Sequence, residues 1–355
     1  MKTPYPISIL AASLLAATSA AAQAPSPPAV QAPATKPAAE PKTRPHEVKK
    51  PAAPAAQAKP AASAAPTSEA APAPPQEDPN VDLVYGAYQR GQYKTSFDLA
   101  TPRAQAGDAK AMTMLGELYA NGLGIKRDDA KAVEWYKRAC DLGDREAMFA
   151  LAMMRLAGRG GPADKEEAVK LLASSAKLGE PKAAYNLALL YLDGQTLPQD
   201  VKRAAELLRI AADAGIPEAQ YALATFYKEG TGVEKDMDRA VRLLQAASLA
   251  DNIDAEVEYA IALFNGTGTP KNQPAAVALL RKAARQGNPI AQNRLAHVLV
   301  AGMGVPADRI EGLKWHLVAK TAGKGDLFLD EAFAQLSPED RAKVEAVAKR
   351  WLGTK

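Results

Sequence analysis

The chain is short of the residues that carry chemistry. Its 355 residues include one cysteine, Cys140, and three histidines, His46, His297 and His316. A single cysteine excludes an intramolecular disulfide framework, so stability has to come from packing. No two histidines have metal-ligand spacing, and no metal or cofactor is expected. Charge of one sign is also lacking. The net charge is +4, of which Lys2 supplies one and residues 23–79 another, leaving +2 for residues 80–355. So small a surplus is not the basic field on which nucleic-acid binding depends, and nucleic acid is not expected as a partner. Beyond the first residues, no apolar run approaches the roughly 20 needed to span a bilayer.

What is present falls into three parts. The chain opens MKTPYPISILAASLLAATSAAAQA, where Lys2 precedes an apolar run from Ile7 to about Ala17 and then small residues. That is the order of a secretory signal, with Ala20 and Ala22 placed for cleavage after Ala22. No cysteine follows to carry a lipid. The expectation is export to the periplasm or beyond, with no integral span after cleavage; a retained N-terminal anchor has the same pattern. Residues 23–79 are almost wholly Ala, Pro, Lys, Gln, Ser and Glu, as in KPAAEPKTRPHEVKKPAAPAAQAKP. With almost nothing apolar to bury, they read as a disordered, semi-stiff spacer that could reach ~180 Å. Its cations come first and its acids last, so contact of the basic part with an anionic envelope surface is a second reading.

From Ala111 one unit is written six times. AMTMLGELYANGLGIKRDDAKAVEWYKRACDLGDRE begins at Ala111, and the same design begins again at Ala147, Ala183, Ala219, Ala255 and Ala291, each start 36 residues after the last. Leu115 becomes Leu151, Leu187, Leu223, Tyr259 and Leu295. Gly116 becomes Ala152, Ala188, Ala224, Ala260 and Ala296. A large apolar residue beside a tiny one lets another helix approach closely. Ala111, Leu115, Leu118, Tyr119 and Gly122 fall at helical spacing, as do Ala132, Trp135, Tyr136 and Ala139, so each unit is two amphipathic helices. The column of Gly122 and Gly124 recurs in five units, with Gly194 and Thr196 departing. The second helix closes on Gly143, Gly179, Gly215, Gly287 and Gly323, with Asp251 as the exception.

The pattern A-x3-L-[GA]-x2-Y-x2-G-x-G-[VI]-x5-A-x2-[WL]-[YL]-x2-A-x3-G resembles the SEL-one-like repeat, a longer-looped relative of the tetratricopeptide repeat. The resemblance covers residues 111–326. It implies an all-α fold, a right-handed α-solenoid of antiparallel helix pairs serving as a scaffold for protein contacts. Residues 80–110 resemble a shorter tetratricopeptide-like pair and read as the N-terminal cap. Residues 327–355 read as closing helices, with Ser337 as N-cap and Pro338 at the first helical position. Terminal units that seal an array are expected to be atypical.

Several motifs invite chemistry. The glycines of NGLGIKRD suggest a phosphate cradle, but they recur in most units, as a turn requires. Ser174-Ser175-Ala176-Lys177 matches the S-x-x-K of penicillin-recognising enzymes, yet the partner motifs are missing. A cysteine-rich branch of the repeat family has been linked to penicillin binding and uses paired cysteines in each unit, from which this chain departs. Cys140, beside Lys137 and Arg138, has the pattern of a poised thiol. It shares its column with Ala176, Ala212, Ser248 and Ala284, and with Lys320 in the final unit, which makes it a filler of a small slot. His316 follows Trp315 in a core column and reads as a core-edge residue.

The stronger candidate is a stripe on the opposite face of the first helices. It runs Thr113, Glu117 and Ala120, then Phe149, Met153 and Leu156, then Tyr185, Leu189 and Leu192, then Tyr221, Thr225 and Lys228, then Val257, Ile261 and Phe264, and ends at Asn293, His297 and Val300. By analogy with tetratricopeptide arrays it lines the concave wall. Taken singly, each residue is accounted for by packing between units. Taken together, the ladder Phe149, Tyr185, Tyr221 reads as a groove for a protein or peptide partner, with Met153, Leu189, Thr225 and Ile261 in support. The expectation is therefore a non-catalytic scaffold or adaptor, in a family whose exported bacterial members are tied to envelope signalling or wall assembly. A wall-active or β-lactam hydrolase and a structural envelope spacer are the alternatives.

Overall fold

The computed structural model describes residues 82–353. The signal (1–22) and the Ala/Pro-rich spacer (23–79) lie outside the described residues, with His46. Among the described residues there are sixteen helices and no strand. An opening pair, α1 (Leu83–Gln89) and α2 (Tyr93–Gln105), precedes six repeated pairs: α3 (Ala109–Asn121) and α4 (Asp129–Asp141), α5 (Arg145–Ala157) and α6 (Lys165–Lys177), α7 (Pro181–Asp193) and α8 (Val201–Asp213), α9 (Pro217–Glu229) and α10 (Met237–Leu249), α11 (Ile253–Asn265) and α12 (Gln273–Arg285), α13 (Pro289–Ala301) and α14 (Arg309–Thr321). Two closing helices follow, α15 (Leu327–Ala334) and α16 (Pro338–Gly353). The result is an all-α solenoid of helix pairs.

Each helix from α3 to α14 is 13 residues long, because the same signals start and stop it. The second helices open on Asp128, Asp164, Asp200, Asp236, Asn272 and Asp308, whose side chains each accept a bond from the backbone N–H three residues on. Such caps satisfy donors that have no partner within the helix. The first helices end on glycines in the left-handed region, with φ between 63° and 78°. The second glycine of the turn has a further task. At Gly268 (φ +66°) a Cβ would stand 2.5 Å from the carbonyl oxygen of Met237, at the start of the preceding unit's second helix. The turn of one unit thus lies directly on its neighbour, and the spacing admits only hydrogen at that point.

The repeated columns face inward. Leu115, Leu151, Leu187, Leu223 and Leu295 are all buried, with Ala152, Ala188, Ala224, Ala260 and Ala296 beside them. The one glycine in the second column is explained by its neighbour. Tyr136 stands where the next four units carry Leu172, Leu208, Leu244 and Leu280, and a Cβ on Gly116 would come within 2.5 Å of its ring. Neighbouring units are also stapled by ion pairs about 30 residues apart: Arg159 to Asp129 at 2.7 Å, Lys228 to Glu258 at 3.0 Å and Arg281 to Glu311 at 3.0 Å. Half-exposed pairs of this kind each contribute at most about 1 kcal/mol.

Asp251, the exception in the closing-glycine column, adopts the same backbone as the glycines, with φ 60°. Its carboxylate meets Lys282 Nζ at 3.0 Å, and the same ammonium lies 2.8 Å from the buried Glu256. At the N-terminal end, Ser96 is fully buried and donates to the Val84 carbonyl at 3.0 Å. At the other end, His316 is fully buried rather than at the edge of the core, because α15 covers it and supplies Asp330 Oδ1 at 2.9 Å from its Nε2. Trp315 meets Trp351 edge-on at 5.0 Å, with Lys314 Nζ 3.8 Å from the Trp315 ring centre. Ser337 caps α16, its hydroxyl accepting from the Asp340 N–H at 3.1 Å.

Candidate protein-binding face

The outer stripe is carried by the first helices α3, α5, α7, α9, α11 and α13. Of the seven residues singled out in it, Phe149, Met153, Tyr185, Tyr221, Thr225 and Ile261 are half-buried and Leu189 is buried at 8 % exposure. They do not form one continuous apolar wall. Phe149, Leu156, Tyr185 and Leu192 pack in a single cluster across α5 and α7. Tyr221 belongs to a small cluster with Leu244, Ala247 and Tyr259, and Ile261 to the C-terminal cluster with Phe264. Thr225 turns its hydroxyl back to the Tyr221 carbonyl at 3.2 Å.

At its ends the stripe is tied down by polar contacts. Thr113 Oγ1 lies 3.0 Å from Asp144 Oδ1, and Tyr136 donates its hydroxyl to Glu117 at 3.1 Å. At the other end His297 Nε2 lies 3.1 Å from Asp326 and its ring stacks on Phe328 at 5.7 Å. Beside that contact is a cleft of about 320 Å³ lined by Ile290, Asn293, Arg294, His297, Lys324 and Asp326.

The middle of the stripe sits in a negative field that no reading of the stripe columns alone finds. Burial pushes the Tyr221 phenol up to about 12, helped by the nearby carboxylates of Glu258, Asp254 and Glu229. Burial likewise raises Tyr185, with Glu218 adding to it. The signal was present in the flanking columns, where α9 and α11 carry Glu218, Glu229, Asp254 and Glu258.

The chemical motifs resolve differently. Ser174 is exposed, while Ser175 is fully buried and donates to the Arg145 carbonyl at 2.7 Å. Cys140 is half-buried in the N-terminal core cluster. Desolvation, reinforced by Asp144, Asp141 and Glu167, pushes its thiol up to about 12, so almost none is thiolate at neutral pH. Among the described residues, no group of three or more His, Cys, Asp or Glu is placed to hold a metal ion, and no helix is long and apolar enough to cross a membrane.

The family model of the Sel1 repeat matches residues 109–144, 145–180, 181–216, 217–252, 253–288 and 289–324. The chain belongs to the Sel1 repeat family. The matched segments keep the 36-residue period and begin two residues before the alanine column. Among solved structures, a Sel1 repeat protein from Oxalobacter formigenes is similar at 28% identity and a TM-score of 0.58, over 67% of this chain and 98% of that one. The protective antigen c5321 of uropathogenic Escherichia coli, which displays the same fold, is similar at 25% identity and a TM-score of 0.53, over 76% of this chain and 67% of that one. No curated protein matches the chain. Sel1 arrays are helical scaffolds for protein contacts.

Proposed function

We propose that this Sel1 protein is an exported, non-catalytic adaptor of the cell envelope, which grips a protein or peptide partner along the stripe of α5, α7 and α9. The observation that carries the reading is the half-buried aromatic ladder Phe149, Tyr185, Tyr221. These rings recur at one position of three successive units and are left partly open, although the same helices bury their other face almost completely. Rigid aromatic surface at low conformational cost is what binding hot spots use. Export rests on the N-terminal run around Ile7–Ala17. The non-catalytic reading is supported by Ser174 lying exposed on a helix and by the burial that keeps the Cys140 thiol protonated.

An affinity pull-down from the envelope fraction tests the adaptor. Wild type should recover a defined partner, and Phe149→Ala/Tyr185→Ala/Tyr221→Ala should lose it while helical content by circular dichroism is kept. Retention of every partner by a folded triple variant would show that binding lies elsewhere. Hydrolysis of nitrocefin or peptidoglycan that disappears with Ser174→Ala would overturn the non-catalytic reading.

A further inference from the structure

The charges around the ladder say what kind of partner segment it takes. On α9 and α11 the stripe is flanked by Glu218, Glu229, Asp254 and Glu258. Only Glu258 is matched, by Lys228 at 3.0 Å. Glu218, Glu229 and Asp254 are exposed and form no ion pair among the described residues; Asp254 has only the neutral amide of Asn288, at 3.2 Å. Glu218 and Glu229 stand at the two ends of α9, about 16 Å apart by helix rise, and Asp254 lies in the first turn of α11, so each offers a separate place for one cation of an extended segment.

A second observation, independent of the acids, concerns the rings. Some aromatics elsewhere in the protein are covered by its own cations: Lys131 over Tyr119 at 5.4 Å, Arg138 over Trp135 at 4.7 Å, Arg239 over Tyr227 at 5.6 Å. No lysine or arginine of the described residues lies over Phe149, Tyr185 or Tyr221. The ladder thus offers π faces without an internal cation, in a field that attracts one. Its phenols stay neutral at any ordinary pH, since burial and the carboxylates hold Tyr221 near 12. Neutral rings with acids at their edge suit a lysine or arginine whose stem lies on the ring and whose head reaches the carboxylates.

We propose that the Tyr185–Tyr221 part of the stripe binds an extended partner segment in which lysine or arginine alternates with aliphatic or proline residues, the cations pairing with Glu218, Glu229 and Asp254. This rests on the adaptor reading and names the chemistry of its partner. An acidic segment would meet uncompensated repulsion there, and a purely apolar one would leave the three carboxylates partly desolvated and unpaired.

Fluorescence anisotropy with the full chain tests it, using two labelled synthetic peptides, (Lys-Leu-Pro)4 and (Glu-Leu-Pro)4. The lysine peptide should bind, the glutamate peptide should not, and Glu218→Gln/Glu229→Gln/Asp254→Asn should weaken the lysine peptide about tenfold, with every ring still in place. Those exposed positions carry no packing, so the variant should fold, and its melting curve checks that. Equal binding of both peptides, no binding of the lysine peptide, or an unchanged affinity in the charge variant would overturn the inference. The adaptor reading fails separately: a partner captured by the charge variant as well as by wild type, yet lost with the three ring-to-alanine changes, would leave the adaptor standing and remove the cationic segment.

Discussion

The two faces of the first helices behave oppositely. The inward columns hold the same residue in five of the six units, Leu115, Leu151, Leu187, Leu223 and Leu295 with glycine or alanine beside them, and these leucines are buried to 5 % exposure or less, with the half-buried Tyr259 as the exception. The stripe columns change from Thr113 through Phe149, Tyr185, Tyr221 and Val257 to Asn293, and remain mostly half-open. Packing between identical units demands identical residues, because each copy meets the same neighbour. A surface that meets no neighbour in full is free to differ, and in a scaffold that freedom is where specificity is written.

The sharpest way to break the comparison is on α5, where the two faces stand two residues apart. Leu151→Ala should cost about 3 kcal/mol in guanidinium unfolding, far more than Phe149→Ala, and a similar loss at both would erase the distinction drawn between the faces. Next comes the contact between units. Gly268→Ala forces a Cβ onto the Met237 carbonyl and a non-glycine residue into the left-handed region, and should cost about 2 kcal/mol; an unchanged unfolding midpoint would mean that the turn moves freely off its neighbour. A smaller effect is expected from the ion pairs that staple units. Arg127, and then Arg159, hold the Asp129 carboxyl down at about 2 from a usual 3.8. Its folded value is the depressed one, so its contribution is complete above the unfolded value and is lost as the pH falls from about 4 towards 2. Asp129→Asn should lower stability at pH 7, where that contribution is complete, by up to about 1 kcal/mol, and should flatten the curve between about pH 4 and 2. The smallest effect belongs to Cys140→Ala, which should shift stability by less than about 1 kcal/mol and leave partner capture unchanged; loss of a partner in that variant would restore a reactive role to the thiol.

Most of the fold was legible because it was repeated. One occurrence of a leucine four residues after an alanine says little, but five in phase, with Tyr259 in the remaining unit, fix helix, turn and helix, and the glycine columns locate the end of each helix. What was not legible depended on contacts across units. From its column the second turn glycine reads only as part of a turn, and the approach to Met237 shows that it is a point of contact. Gly116 looks like a chance member of an alanine column until Tyr136 is seen against it. His316 reads as an edge residue because nothing in its own unit reveals that α15 will cover it. For the stripe, the columns named the residues but not their grouping, since division into the Phe149–Tyr185 cluster and the separate surroundings of Tyr221 and Ile261 follows from how units meet. The acids around Tyr221 lie in neighbouring columns and on two different helices, so no single helical period brings them together.

The pairing of Gly116 with Tyr136 carries a consequence for how such a chain changes over time. Both partners of that size exchange lie inside one 36-residue unit, so the unit travels intact through duplication or deletion, whereas either residue transferred alone would clash or leave a void. The contact between units asks only for a glycine opposite the start of a helix, and five of the six units supply it. The joint is therefore generic while the size exchange stays private to its unit, which is the arrangement that lets an array lengthen, shorten or exchange its parts without redesign.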